Sequence, residues 1–163
     1  MKPTFYESQK LSSWVVWLTA TLLIPIGLMC LWGWYKQAYL GEPFGDKPGS
    51  DLSLIFVACL CFGLMLFLWS IQLKTRIDTT DIRIHFFPMI KKTYAWKDIS
   101  KAELIDYGFI GGWGVRFTRK YGIVYNTKGK MGLFIELKNG KKRMIGTQKP
   151  QELALFLKSH RLI

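Results

Sequence analysis

The densest glycine run in the chain is Gly108-Phe109-Ile110-Gly111-Gly112-Trp113-Gly114. Glycine runs are where a backbone can wrap a phosphate. A phosphate-binding loop must open a helix, so that free N–H groups and the helix dipole face the anion. This run lies between strand patterns, lacks the GxGxxG order and has no Lys-Ser or Lys-Thr behind it. It reads as a strand connection, a structural loop of Gly111, Gly112, Trp113 and Gly114 in which Gly111-Gly112 permits close backbone approach and Trp113 packs nearby. No nucleotide or other cofactor is expected.

The other reactive residue types are scattered. His85 falls on the polar face of a strand pattern and His160 ends the last helix pattern, with no cysteine or carboxylate near either at ligand spacing. Cys30, Cys59 and Cys61 all lie in apolar blocks. Cys59-x-Cys61 has neither the spacing of a zinc knuckle nor that of a thioredoxin-type pair. No Gly-x-Ser-x-Gly occurs, and Asp98, Glu103, Asp106 and Glu136 are dispersed over strands and turns. No catalytic residue and no metal ligand is assigned, and an enzyme is not expected.

Positive charge is the remaining signal. Of 23 lysines and arginines, 19 lie from Lys74 onward, against seven of the 11 acids, so the whole net charge of +12 belongs to that part. Lys91, Lys92, Arg116, Arg119, Lys120, Lys141, Lys142 and Arg143 fall mostly in turns or at strand ends. They form a candidate face toward anionic lipid or a partner, set against the plainer reading of a solvated surface. Each such charge near an anionic membrane contributes about 1 kcal/mol. No aromatic–basic ladder of the kind that binds RNA is present, so nucleic acid is not expected.

The elements that carry these residues begin with two apolar blocks. Residues 52–73 hold no charge, and residues 13–35 hold none either. Each block is long enough to cross a hydrocarbon core of about 30 Å. Trp14 and Trp17 mark one end of the first block, and Trp32, Trp34 and Tyr35 the other, as interfacial rings prefer. Pro25 is expected to kink it. Gly27, Gly33, Ala58 and Gly63 offer close packing of the two helices. Between the blocks, residues 36–51 form a loop with Lys36 and Lys47 against Glu42, Asp46 and Asp51. Lys2, Lys10, Lys74, Arg76 and Arg83 flank the other ends, so the positive-inside rule places both termini in the cytoplasm. Residues 1–12 are then a short cytoplasmic tail, and 74–163 a single small cytoplasmic domain at the inner membrane.

Within 74–163 the pattern alternates. Ile82, Ile84 and Phe86 interleave with Arg83 and His85, after a turn at Asp78-Thr79-Thr80-Asp81 and a first strand at 73–77. Further strands are read at 93–96 and 101–107, and short ones at 115–118 and 123–125. Segments 133–138 and 141–145 flank Asn139-Gly140, which suits a two-residue type I′ hairpin. Leu153, Phe156 and Leu157 then recur at helical spacing behind Pro150, giving a helix over 150–160.

These short antiparallel strands and a terminal helix make a bent sheet or open barrel. The start at 77–84, Tyr94-x-Trp96-x-Asp98-Ile99 and the terminal helix resemble bacterial membrane proteins with two transmembrane helices and a pleckstrin-homology-like (PH-like) domain. Gly111-Gly112-Trp113-Gly114-Val115-Arg116, Tyr125-Asn126 and the segment from Ile145 to Pro150 resemble a subgroup of small proteins of that kind. The resemblance implies an α+β membrane protein. Its helical hairpin is followed by a seven-stranded antiparallel β-barrel or sandwich capped by a C-terminal helix. It carries over no catalytic residue. The expected role is a membrane-anchored interaction module that binds anionic lipid headgroups, a protein partner or its own copies. The alternative is a subunit or assembly factor of a larger membrane complex.

Overall fold

A computed structural model of the chain describes residues 3–162. The chain divides into two compact units, Ser13–Ser70 and the segments on either side of it.

The first unit is a helical hairpin. Helix α1 spans Ser13–Tyr35 and continues as a π-helical turn, Lys36–Leu40, which Gly41 closes at φ 67°. Helix α2 spans Asp51–Ser70, so Gln72 and Leu73, expected at its end, belong to the strand that follows. Small residues meet where the helices approach. Ala20, Gly27, Cys30 and Gly33 of α1 and Ala58 and Cys61 of α2 are its buried residues. A Cβ on Gly27 would lie 2.9 Å from the Phe62 ring, and one on Gly33 2.6 Å from the Phe44 ring. Gly63 plays no such part, since a Cβ there meets no atom of the described residues within 4 Å. Gln37 ties the connecting loop by donating to the Gly49 carbonyl and to Asp51. Most of the apolar surface stays uncovered. Trp17 is 71% exposed and Trp69 64%, and both helices are long and apolar enough to cross a membrane.

Among the described residues the second unit holds nine strands in two sheets and the last helix. The first sheet has the order β1-β2-β3-β4, from Thr4–Lys10, Gln72–Asp78, Asp81–Phe87 and Ile90–Ala95. The second has the order β5-β8-β9-β7-β6, where β5 is Ile99–Asp106, β6 Gly114–Thr118, β7 Gly122–Asn126, β8 Met131–Leu137 and β9 Lys142–Gly146. Helix α3 is Pro150–Ser159. Two expectations are corrected here. Among the described residues nine strands replace seven, and β7 runs parallel to β9, not antiparallel; of the barrel or sandwich expected, the two sheets do not close into a barrel.

Strand β1 lies in the segment expected to be a tail. It pairs with β2 along its whole length, from Thr4 beside Asp78 to Lys10 beside Gln72. The helical hairpin is therefore inserted into a β-hairpin, with two residues between β1 and α1 and one between α2 and β2. The inward positions of β1 are Phe5, Glu7 and Gln9. Phe5 meets the Phe156 ring of α3, with centroids 6.3 Å apart. Glu7 accepts from the Thr147 hydroxyl at 2.6 Å and the Gln148 N–H at 2.7 Å. Gln9 donates to the Gly146 carbonyl at 2.7 Å and accepts from the Thr127 hydroxyl at 3.0 Å. Buried polar groups are tolerable when paired in this way, and here they bind the edge of one sheet to the end of the other.

Leu73, Ile77, Ile82, Ile84 and Phe86 of the first sheet, Leu133, Ile135, Ile145 and Tyr125 of the second, and Leu153 and Leu157 of α3 are all buried. The second sheet is buried on its other face too. Val124, Phe134 and Met144 cluster there with Tyr107, and Ile110 and Tyr121 pack against them. Strands β5 and β6 lie on opposite edges, so the glycine loop between them has to cross the end of the sheet. A Cβ on Gly132 would lie 2.9 Å from the Tyr107 ring, and one on Gly146 3.2 Å from its hydroxyl.

Two turns show how side chains set local geometry. Asn139-Gly140 is not a two-residue type I′ hairpin. The Gly140 N–H donates to Leu137, the Leu137 N–H donates to Lys141, and only Gly140 has positive φ, at 77°. Asn139 accepts from the Lys141 N–H at 3.1 Å and keeps ordinary φ, which makes a three-residue loop with a left-handed glycine. At the β2–β3 turn, the Asp78 carboxylate accepts from the Thr80 hydroxyl at 2.6 Å and from the Thr80 and Asp81 N–H groups, each at 2.9 Å. The Thr80 hydroxyl is the main reason its pKa falls to about 2; the two backbone donors and Arg83 add to this, and burial opposes it. Asp78→Asn is expected to cost about 1–3 kcal/mol. A depressed carboxylate pKa stabilises above the unfolded value of about 3.9. Denaturant midpoints of the native chain should therefore fall from pH 4 toward pH 2, and those of Asp78→Asn should fall less.

Candidate functional site

The outward face of the first sheet collects cations from three strands. Inward residues alternate with outward ones, so strand register decides which side chains share a row. One row is Ser8, Lys74, His85 and Lys91, and the next is Tyr6, Arg76, Arg83 and Thr93. Neighbouring strands are about 4.8 Å apart, and like charges directly opposite one another destabilise a sheet. Arg83 is neutralised, since Nε donates to Asp81 Oδ1 at 2.7 Å and Nη2 to Oδ2 at 2.9 Å, with Asp78 3.7 Å away. Among the described residues, Lys74, Arg76 and Lys91 form no ion pair. A cleft of about 230 Å³ lies over this face, bordered by Tyr6 and Thr93. The His85 imidazole is held below its ordinary pKa by burial first, then by Lys91 and Lys74, and its ring stands edge-on to Phe87.

The eight cations singled out from the sequence are divided between the sheets. Lys91 and Lys92 are on β4, the edge of the first sheet. Arg119 and Lys120 in the β6–β7 turn share one end of the second sheet with Lys141 and Lys142, because β7 and β9 run parallel with Ile123 beside Arg143. Arg143 is turned into the junction between sheets, donating to the Tyr94 hydroxyl at 3.2 Å and to the Lys142 carbonyl at 2.6 Å. Nearby, burial raises the pKa of the Tyr125 phenol, and Tyr94 raises it further. Arg116 lies over Gly112, where an added Cβ would collide with its guanidinium. Of the loop residues, Gly111, Gly112 and Gly114 all have positive φ, and the Gly112 carbonyl accepts from Asn126 at 3.4 Å. Trp113 is half-buried.

Lys74, Arg76 and His85 are the members of the first-sheet face that sequence reasoning missed. Their signal was present as Lys74-x-Arg76 and Arg83-x-His85, but only the turn at Thr79-Thr80 sets the register that aligns them. The carboxylates do not converge. Asp106 caps the Gly108 N–H, Glu103 pairs with Lys101 at 3.0 Å, and Asp98 lines a separate cleft beside Lys138. His160 is occupied at the C-terminal end of α3, against the Phe156 carbonyl and the Ser159 hydroxyl. Among the described residues no three of His, Cys, Asp and Glu stand together.

The fold and the site thus define an α+β protein with a two-helix apolar hairpin set into a two-sheet, cation-faced β unit. No protein-family model matches the chain, and no curated protein matches it.

Proposed function

We propose that this chain is a membrane-anchored, non-enzymatic interaction module. Its two helices cross the cell membrane, and its PH-like β domain lies on the cytoplasmic side with both termini. There the domain meets anionic lipid headgroups or a protein partner. The observation that supports this most is the insertion of an exposed apolar hairpin between two paired strands. Adjacent antiparallel strands bring the start of α1 and the end of α2 to one side of the bilayer, so the helices cross as a pair. Connections of two residues and one residue then keep the domain near the headgroups, where tethering raises its effective concentration.

The full-length protein is expected to stay in the membrane fraction through 1 M salt and alkaline carbonate. Release by either treatment would refute the anchored reading. A protein partner is favoured by the free edge strand β6, where Phe117 is 83% exposed beside Arg116. This is also the feature that a subunit of a larger complex would use. Phe117→Glu is expected to abolish any co-purifying polypeptide while leaving membrane retention intact.

A further inference from the structure

We propose that the cleft on the outward face of the first sheet holds the phosphate of an anionic lipid headgroup, with Lys74, Arg76 and Lys91 as its charge partners and His85 between them. This rests on the membrane-anchored reading above. Lys74, His85 and Lys91 stand side by side on neighbouring strands, with Arg76 in the next row. No acid pairs with these three cations among the described residues, while Arg83, in the same row as Arg76, has Asp81. A bound phosphate offsets the like-charge repulsion along this row.

The order of charge along the strands identifies the lipid as the source. Helix α2 ends at Ser70 and β2 begins at Gln72. Counted along β2 from Gln72, Lys74 is about 7 Å away, Arg76 about 14 Å and Asp78 about 20 Å. Asp78 and Asp81 share the far row. The cations therefore occupy the rows closest to the helix attachment and the acids the last. A headgroup field decays over about 8 Å at physiological salt, so along β2 it acts most on Lys74, less on Arg76 and least on Asp78. A site for a freely diffusing anion has no need of this gradient.

The same geometry makes binding pH-dependent. His85 faces Lys74 from β2 and Lys91 from β4, with Arg76 and Arg83 in the next row and Lys92 at the rim of the cleft. A bound phosphate offsets these charges and favours the imidazolium, so binding takes up a proton. Affinity then rises as pH falls through the pKa of His85, from the bound-state value down to the lower free-state value.

The test uses the full chain in zwitterionic detergent. The probes are a fluorescent short-chain phosphatidylglycerol, the matching phosphatidylcholine, and inorganic phosphate as competitor. Phosphatidylglycerol should bind more tightly than phosphatidylcholine. Lys74→Gln with Lys91→Gln should weaken it on the order of 30-fold, at about 1 kcal/mol for each charge. Lys91→Gln alone should weaken it about fivefold. Neither should lower the thermal midpoint, because each removes a repulsion. His85→Gln should flatten the pH dependence between pH 7.5 and pH 5. Unchanged phosphatidylglycerol affinity in the double variant would overturn the proposal. A larger loss from Lys141→Gln with Lys142→Gln would also overturn it, placing the lipid on the second sheet while the anchored reading stands. Full competition by inorganic phosphate at micromolar concentration would reassign the site to a soluble anion.

Discussion

Deleting Thr4–Lys10 is expected to abolish stable folding of the β unit. Joining Lys10 to Gln72 through a two-residue Asn-Gly turn, in place of the helical hairpin, is expected to give a soluble folded domain. The reason is that β1 is a full member of the first sheet, paired to β2 over seven positions. Without it, β2 becomes an edge, and burial of Phe5 is lost, about 1.5–3 kcal/mol. The Thr147 hydroxyl, the Gln148 N–H and the Thr127 hydroxyl also lose the acceptors that Glu7 and Gln9 supply. Each buried group left unpaired costs about 1–3 kcal/mol. Together these losses rival a typical domain stability of about 5–15 kcal/mol. Glu7→Ala alone should cost about 2–4 kcal/mol in the linked domain. Urea unfolding followed by circular dichroism measures all three. If a fragment beginning at Ile71 unfolds at the same urea concentration as the linked domain, β1 contributes nothing and the account of this strand is wrong.

The second large effect is expected at Gly122. Gly122 and Gly108 have nearly the same φ, 68° and 66°. They differ in surroundings. A Cβ on Gly108 meets no atom of the described residues within 4 Å, whereas one on Gly122 would run into the Lys142 carbonyl of β9. A left-handed conformation alone costs a non-glycine residue about 1–2 kcal/mol. Gly108→Ala should therefore cost about 1 kcal/mol. Gly122→Ala must also push β7 from β9, against the pairing of Ile123, Val124 and Tyr125 with Arg143, Met144 and Ile145, and should cost roughly 3 kcal/mol or more. Because φ is matched, the difference isolates the close approach of the two parallel strands. Equal losses in urea unfolding would show that this approach is absent.

What the sequence disclosed follows from where its chemistry is local. The two apolar helices stand out because each is a charge-free block. Strand β3 stands out because Ile82, Ile84 and Phe86 are inward and greasy while Arg83 and His85 are not. The turn from Asp78 to Asp81 and helix α3 carry their own signals, an Asx-type carboxylate and a Pro150 start. Strand β1 was missed because two of its three inward residues are Glu7 and Gln9. They are buried by hydrogen bonds and not by hydrophobicity, and their partners lie more than a hundred residues away. The strands β7, β8 and β9 are covered on both faces, so Val124-Tyr125 and Leu133-Phe134-Ile135 show no alternation. The parallel pairing of β7 with β9 has no local signature at all. The cationic face was hidden for a related reason. It is a sum across β2, β3 and β4, and no linear window contains Lys74, His85 and Lys91 as neighbours.

The central claim is that two helices cross a membrane as a pair and leave both ends of the chain with the β domain on one side. Its most direct measurement replaces Cys30, Cys59 and Cys61 and places single cysteines at Ser8, Asp46 and Lys158. A membrane-impermeant maleimide is then applied to intact cells. The account expects Asp46→Cys to label from outside, and Ser8→Cys and Lys158→Cys to label only after the membrane is opened. Labelling of Ser8→Cys and Lys158→Cys from opposite sides, or of all three from outside, would contradict it.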